Sequence, residues 1–86
     1  YCILRNHGLL TIGESVAEAF IAMWGMERAC QAQLQAMACN TELAMPSDDV
    51  VQKSCAIYEH GSRRYGLLEW PGLLRQLDRT DPDFRH

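Results

Sequence analysis

The sequence contains no C-x-x-C pair, no H-x-H, no H-E-x-x-H, no G-x-S-x-G and no glycine-rich phosphate loop. These absences remove zinc-ribbon and thioredoxin sites, zincin metalloproteases, hydrolase nucleophile elbows and P-loop nucleotide binding. Basic residues are also scarce: 8 Lys and Arg stand against 11 Asp and Glu, for a net charge of −3. A nucleic-acid footprint needs clustered Lys and Arg. The only dense basic spot is Arg63-Arg64, so no nucleic-acid partner is expected. No apolar run approaches the ~20 residues that cross a bilayer, so no membrane partner is expected either. Tyr1-Cys2-Ile3-Leu4 reads as a strand already under way and not as the scar of a secretory leader, so a secretory context is not expected. The four cysteines (Cys2, Cys30, Cys39, Cys55) are scattered. Without a secretory context, they are expected to be reduced, mostly buried thiols of a cytoplasmic protein. Internal repeats and low-complexity segments are absent too.

What is present has the balance of a soluble globular chain, 48% apolar and 22% charged. At 86 residues it is at most one small domain with a marginal core of its own. It opens on Tyr1, inside a stretch that already reads as a strand. The expectation is that residues 1–86 are the C-terminal part of a single larger domain.

Two short runs, residues 2–6 and 9–12, are rich in Ile, Leu and Thr and are bounded by glycine. They predict two strands meeting at His7-Gly8, with Gly8 at a bulge or tight bend that needs a positive φ. Gly13 closes the second strand. Ser15-Val16-Ala17-Glu18 fits a capping box, in which Ser15 accepts from the Glu18 amide and Glu18 reaches back to the Ser15 amide. A long helix is predicted from Val16 to Ala38. Along it Val16, Phe20, Met23, Glu27, Cys30, Leu34 and Met37 recur by fours and threes, the seam of a core helix lying across a sheet. Glu27 interrupts that seam. It needs a partner such as Arg5, or a water-facing edge position.

Asn40 predicts a helix stop, and Pro46-Ser47-Asp48-Asp49 a new start with acids in the first turn. The second helix is predicted over about Asp48 to Glu59, with His60 and Gly61 as its C-terminal pair. His60 therefore has a capping role rather than a ligand role. Pro71 suits the first turn of a third helix ending near Arg79. That helix places Trp70, Leu73, Leu74 and Leu77 on one face, Trp70 as a packing anchor. The tail from Asp81 to His86 does not continue a helix; Phe84 is the residue able to dock it.

Only one residue stands out chemically. His7, at the strand junction, is the single candidate for metal binding or acid–base work. A catalytic zinc usually takes three protein ligands and keeps one open position. The site is therefore incomplete within these residues, and no catalytic residue is assigned.

The motifs together resemble the class II aldolase/adducin domain family. The matching pieces are Ile3-Leu4-Arg5-Asn6-His7-Gly8-Leu9-Leu10-Thr11-Ile12-Gly13, Ser15 to Phe20, and Glu27 to Leu34. The ending Glu69-Trp70-Pro71-Gly72-Leu73-Leu74-Arg75-Gln76-Leu77-Asp78-Arg79 with Asp81-Pro82 resembles that of many bacterial members. The resemblance implies an α/β fold, specifically the C-terminal fragment of an α/β/α architecture: a strand pair followed by a long helix and two shorter ones. In metal-dependent members three histidines hold a divalent cation, usually zinc. Two come from an upstream H-x-H pair, and the third lies in the N-H-G motif, here His7. The acid–base carboxylate also lies upstream. Such members act on small sugar phosphates or related carbonyl substrates and assemble as homotetramers. The adducins, cytoskeletal scaffolds without catalysis, resemble the same stretch. The implied function is a metal-dependent aldolase-type lyase, with a non-catalytic adducin-like interaction domain as the alternative.

Overall fold

A computed structural model describes residues 1–60 and 64–85. Gly61, which was to follow His60 at the second helix end, and the terminal His86 lie outside the described residues. The elements run β1 (Cys2–Leu4), β2 (Gly8–Leu10), α1 (Val16–Ala38), α2 (Asp48–His60), α3 (Trp70–Thr80) and a 3-10 turn (Pro82–Arg85). Two compact units divide the chain. One is Tyr1–Glu27 with Arg64–His86, the other Arg28–Arg63.

In the first unit β1 and β2 form an antiparallel pair in the register Cys2↔Leu10, Ile3↔Leu9 and Leu4↔Gly8. The first strand is shorter than its predicted run because the turn claims Arg5 and Asn6, and the second starts at Gly8 and ends at Leu10, before Thr11 and Ile12. Thr11 then ties the hairpin to α1, its hydroxyl donating to the Ala19 carbonyl at 2.9 Å. The predicted cap forms with one change. The Glu18 amide donates to Ser15 Oγ at 3.2 Å, while the Glu18 carboxylate accepts from the Glu14 amide at 2.8 Å rather than from that of Ser15. The carboxylate reaches one residue further back and satisfies a different amide at the helix entry. Arg64 adds an ion pair to Glu14 and lies 3.8 Å from Glu18, joining the α1 entry to the segment before α3.

That segment also packs closely on α1. Gly66, at φ 98°, lies with its α-carbon against the backbone of Ala17; a β-carbon there would fall 2.3 Å from the Ala17 carbonyl oxygen. Ala17 and Gly66 are the buried residues of the described chain. Gly66 also donates its amide to Glu69 Oε2 at 2.9 Å and accepts from the Trp70 amide at 2.8 Å, which starts α3. Trp70 meets Phe20 edge-to-face at 5.5 Å, the anchor role expected of it. At the far end of α3, Arg85 grips Asp78 with two hydrogen bonds of 2.7 and 3.0 Å. This pair holds the tail, with the Arg85 guanidinium 4.8 Å from the centre of the Phe84 ring.

The second unit contains the C-terminal part of α1, the turn at Asn40 and α2. Asn40 adopts φ 53° just past the helix, as a stop residue does. Ser47 caps α2 at the long limit, accepting from the Val50 amide at 3.5 Å. Every residue from Gln31 to His60 is exposed.

Two expectations are corrected here. The α1 seam is not a covered core face: Val16, Leu34 and Met37 are all more than half exposed. A hairpin of two three-residue strands is too small to cover a 23-residue helix. For the same reason Cys2, Cys39 and Cys55 are exposed and Cys30 only half-buried, so the thiols are free but not mostly buried. Glu27 is exposed. The strand pair and three helices agree with a fragment of an aldolase-like fold.

Candidate functional site

The site is built on the β1–β2 turn. The His7 amide donates to the Leu4 carbonyl at 3.3 Å, closing a four-residue turn over Arg5 and Asn6. Asn6 adopts φ 65° while Arg5 does not enter the left-handed region, the sign pattern of a type II turn. Asparagine tolerates that conformation better than other side-chain-bearing residues do. Gly8 follows at φ 122°, the positive φ expected at this position. The histidine is therefore bracketed by two residues of left-handed φ and carried, exposed, on the hairpin tip.

Its ring is oriented by the same turn. His7 Nδ1 lies 2.9 Å from the Arg5 carbonyl oxygen. A carbonyl only accepts, so Nδ1 carries the proton, and in the neutral ring the lone pair then resides on Nε2. Metal-binding histidines commonly donate their other ring N–H to a backbone carbonyl, which fixes tautomer and ring plane together. The donor chemistry at His7 fits one ligand of a divalent cation. It does not supply the set: among the described residues no group of three His, Cys, Asp or Glu is placed to hold a metal ion. Arg5 thus contributes through its backbone oxygen. Residue type alone does not disclose that role, although an asparagine just before the histidine signals the turn.

His60 and Cys55 belong to the second unit. His60 ends α2 beside Glu59, at 3.9 Å, as a helix-terminal residue. Cys55 is not an activated nucleophile, because the Glu59 carboxylate one turn on pushes its thiol pKa up. No described helix is long and apolar enough to cross a membrane.

Comparison with known proteins agrees with this construction. The family described as Class II Aldolase and Adducin N-terminal domain matches residues 1–34, the hairpin, its turn and most of α1. A Pseudomonas aeruginosa protein named provisionally as an aldolase class 2 protein is 35% identical over 89 residues, covering 99% of this chain and 34% of that protein. A Caulobacter vibrioides protein of like name is 38% identical over 86 residues, covering 95% and 32%. Human gamma-adducin is 44% identical over 107 residues, covering 98% of this chain and 14% of its own length. The chain spans about a third of the length of the two bacterial relatives. No solved structure matches it. With its N-H-G turn inside the matched region and relatives of both kinds along its length, the chain is similar to the class II aldolase/adducin family.

Proposed function

We propose that residues 1–86 are the C-terminal part of a single class II aldolase-type domain, and that His7 supplies one ligand to its divalent metal, zinc by preference. The parent protein is then a cytoplasmic, homotetrameric lyase acting on a small sugar phosphate or related carbonyl substrate. The observation that carries this reading is the 2.9 Å contact between His7 Nδ1 and the Arg5 carbonyl. It leaves Nε2 as a fixed donor on an exposed tip, with no packing role that would explain the residue.

The metal, when bound, would act as a Lewis acid on a carbonyl or enediolate oxygen. This chain would do the work of orientation. The Leu4–His7 turn sets the position of the ring, the Arg5 carbonyl holds the proton on Nδ1, and Asn6 and Gly8 hold the turn. The remaining ligands and the acid–base carboxylate belong to residues outside 1–86.

The test is His7→Ala in the full-length parent, with metal content measured by mass spectrometry beside lyase activity. Zinc and activity are expected to fall together, and unchanged zinc content would refute the assignment. The second reading, an adducin-like interaction domain, draws support from the similarity to human gamma-adducin. It predicts a wild-type parent that binds no zinc at all.

A further inference from the structure

Residues 1–13 hold the whole hairpin and carry no Asp or Glu, although acids outnumber Lys and Arg by 11 to 8 in the chain. The first acids along the sequence, Glu14 and Glu18, are engaged by Arg64. Arg5 is an exposed cation on the hairpin tip, and its guanidinium makes no ion pair or hydrogen bond among the described residues.

Other arginines have a local reason for their place. Arg64 and Arg85 are ion-paired, and Arg28 donates to Gln31. Arg79 sits in the last turn of α3, where a cation meets the negative end of the helix dipole. The turn does not explain Arg5. It stands at the second position of the Leu4–His7 turn, where the backbone accepts most residues and favours proline. Its contact with His7 Nδ1 uses the carbonyl, which any residue supplies.

Position gives the side chain a use. Arg5 and His7 are the second and fourth residues of one four-residue turn, so a single stretch of backbone carries both the guanidinium stem and the ring. A divalent cation at Nε2 would join a tip that is already positive, and like charges repel. An oxyanion beside the metal removes that repulsion, and a guanidinium fork matches the paired oxygens of phosphate and carboxylate.

We propose that Arg5 is the oxyanion-binding residue of the His7 site, its guanidinium taking the phosphate or carboxylate group of the substrate whose carbonyl oxygen goes to the metal. This rests on the reading of His7 as a metal ligand. Metal and oxyanion then strengthen one another, and by linkage each tightens the other by the same factor. Arg5 makes the tip selective for acidic substrates over neutral carbonyl compounds.

The experiment uses the full-length parent and its Arg5→Gln and Arg5→Lys variants. Zinc affinity is measured by chelator competition, first with no added oxyanion and then with inorganic phosphate or glycolate. In the wild type an oxyanion is expected to tighten zinc about tenfold or more, the scale of a charge-assisted contact. The stronger of the two identifies the group that Arg5 takes. Arg5→Gln is expected to abolish the gain yet to bind zinc alone at least as tightly as wild type, because it removes a positive charge and keeps the carbonyl that orients His7. Arg5→Lys, with the charge but not the fork, is expected to retain part of the gain. An equal gain in Arg5→Gln would overturn the inference, as would a wild type that gains from neither oxyanion. So would weaker zinc binding by Arg5→Gln without oxyanion, the mark of a purely structural residue. A wild-type parent that binds no zinc would end the His7 assignment and this inference with it, whereas zinc bound without oxyanion coupling ends the Arg5 assignment alone.

Discussion

Gly66→Ala is the sharpest perturbation available in the first unit, because two costs fall on one methyl group. The residue sits at φ 98°, where a side chain costs roughly 1–2 kcal/mol. The added β-carbon would also lie 2.3 Å from the Ala17 carbonyl oxygen and 2.6 Å from its carbon. Both are backbone atoms of a helix, so neither can swing aside, and overpacking of this kind costs about 1–3 kcal/mol. The sum is about 2–5 kcal/mol, a large share of the stability of so small a chain. For a domain of this size it lowers the melting temperature by at least about 8 °C. Two other glycines separate the contributions. Gly8, at φ 122° with nothing within 4 Å of a built β-carbon, carries the backbone cost alone. Gly25, inside α1 with open space around it, carries neither, and alanine there gains about 0.8–1 kcal/mol of helix propensity. Thermal unfolding followed by far-UV circular dichroism should order the variants Gly25→Ala, wild type, Gly8→Ala and Gly66→Ala from most to least stable. A Gly66→Ala protein melting within two or three degrees of wild type (about the effect of half a kilocalorie) would refute the close packing of Gly66 on α1.

Three further expectations follow from individual contacts. The hydrogen bonds from Arg85 hold the Asp78 carboxyl below its ordinary pKa. The stabilisation they give is complete above the unfolded pKa of an aspartate and is lost as pH falls through the lower folded value. Asp78→Asn should remove this acid-side dependence from the melting curve, and a carboxyl NMR titration reads the lowered value directly. Ser15→Ala removes the acceptor for the Glu18 amide and should cost about 1 kcal/mol, measured by urea unfolding. Asn6→Val forces a β-branched residue to φ 65° and should displace His7, lowering the zinc affinity of the full-length parent in a metal titration while Asn6→Gly preserves it.

Much of the local structure is written in the order of the residues. Ser15 with Glu18 fixes where α1 begins, Asn40 where it has ended, Ser47 with Asp48 and Asp49 where α2 starts, and Pro71 the first turn of α3. Such signals work over three or four residues, because caps and fixed φ values act on the nearest backbone groups. The N-H-G motif is equally local, and it marked both the turn and the histidine that the turn carries.

Tertiary structure decided what distance in the chain conceals. Ala17 and Gly66 are 49 positions apart, and nothing in either residue type announces that they touch. The Glu18 carboxylate turned to Glu14 instead of Ser15, a choice set by the path of the incoming backbone and by Arg64. The α1 seam carries the period of a core helix, yet period records only which face is apolar, never whether anything covers it. At the candidate site, the sequence determined that a histidine follows an asparagine in a tight turn. Only the folded turn brought the Arg5 carbonyl to Nδ1 and so left Nε2 as the donor, because the protonation of an imidazole is settled by its partner in space.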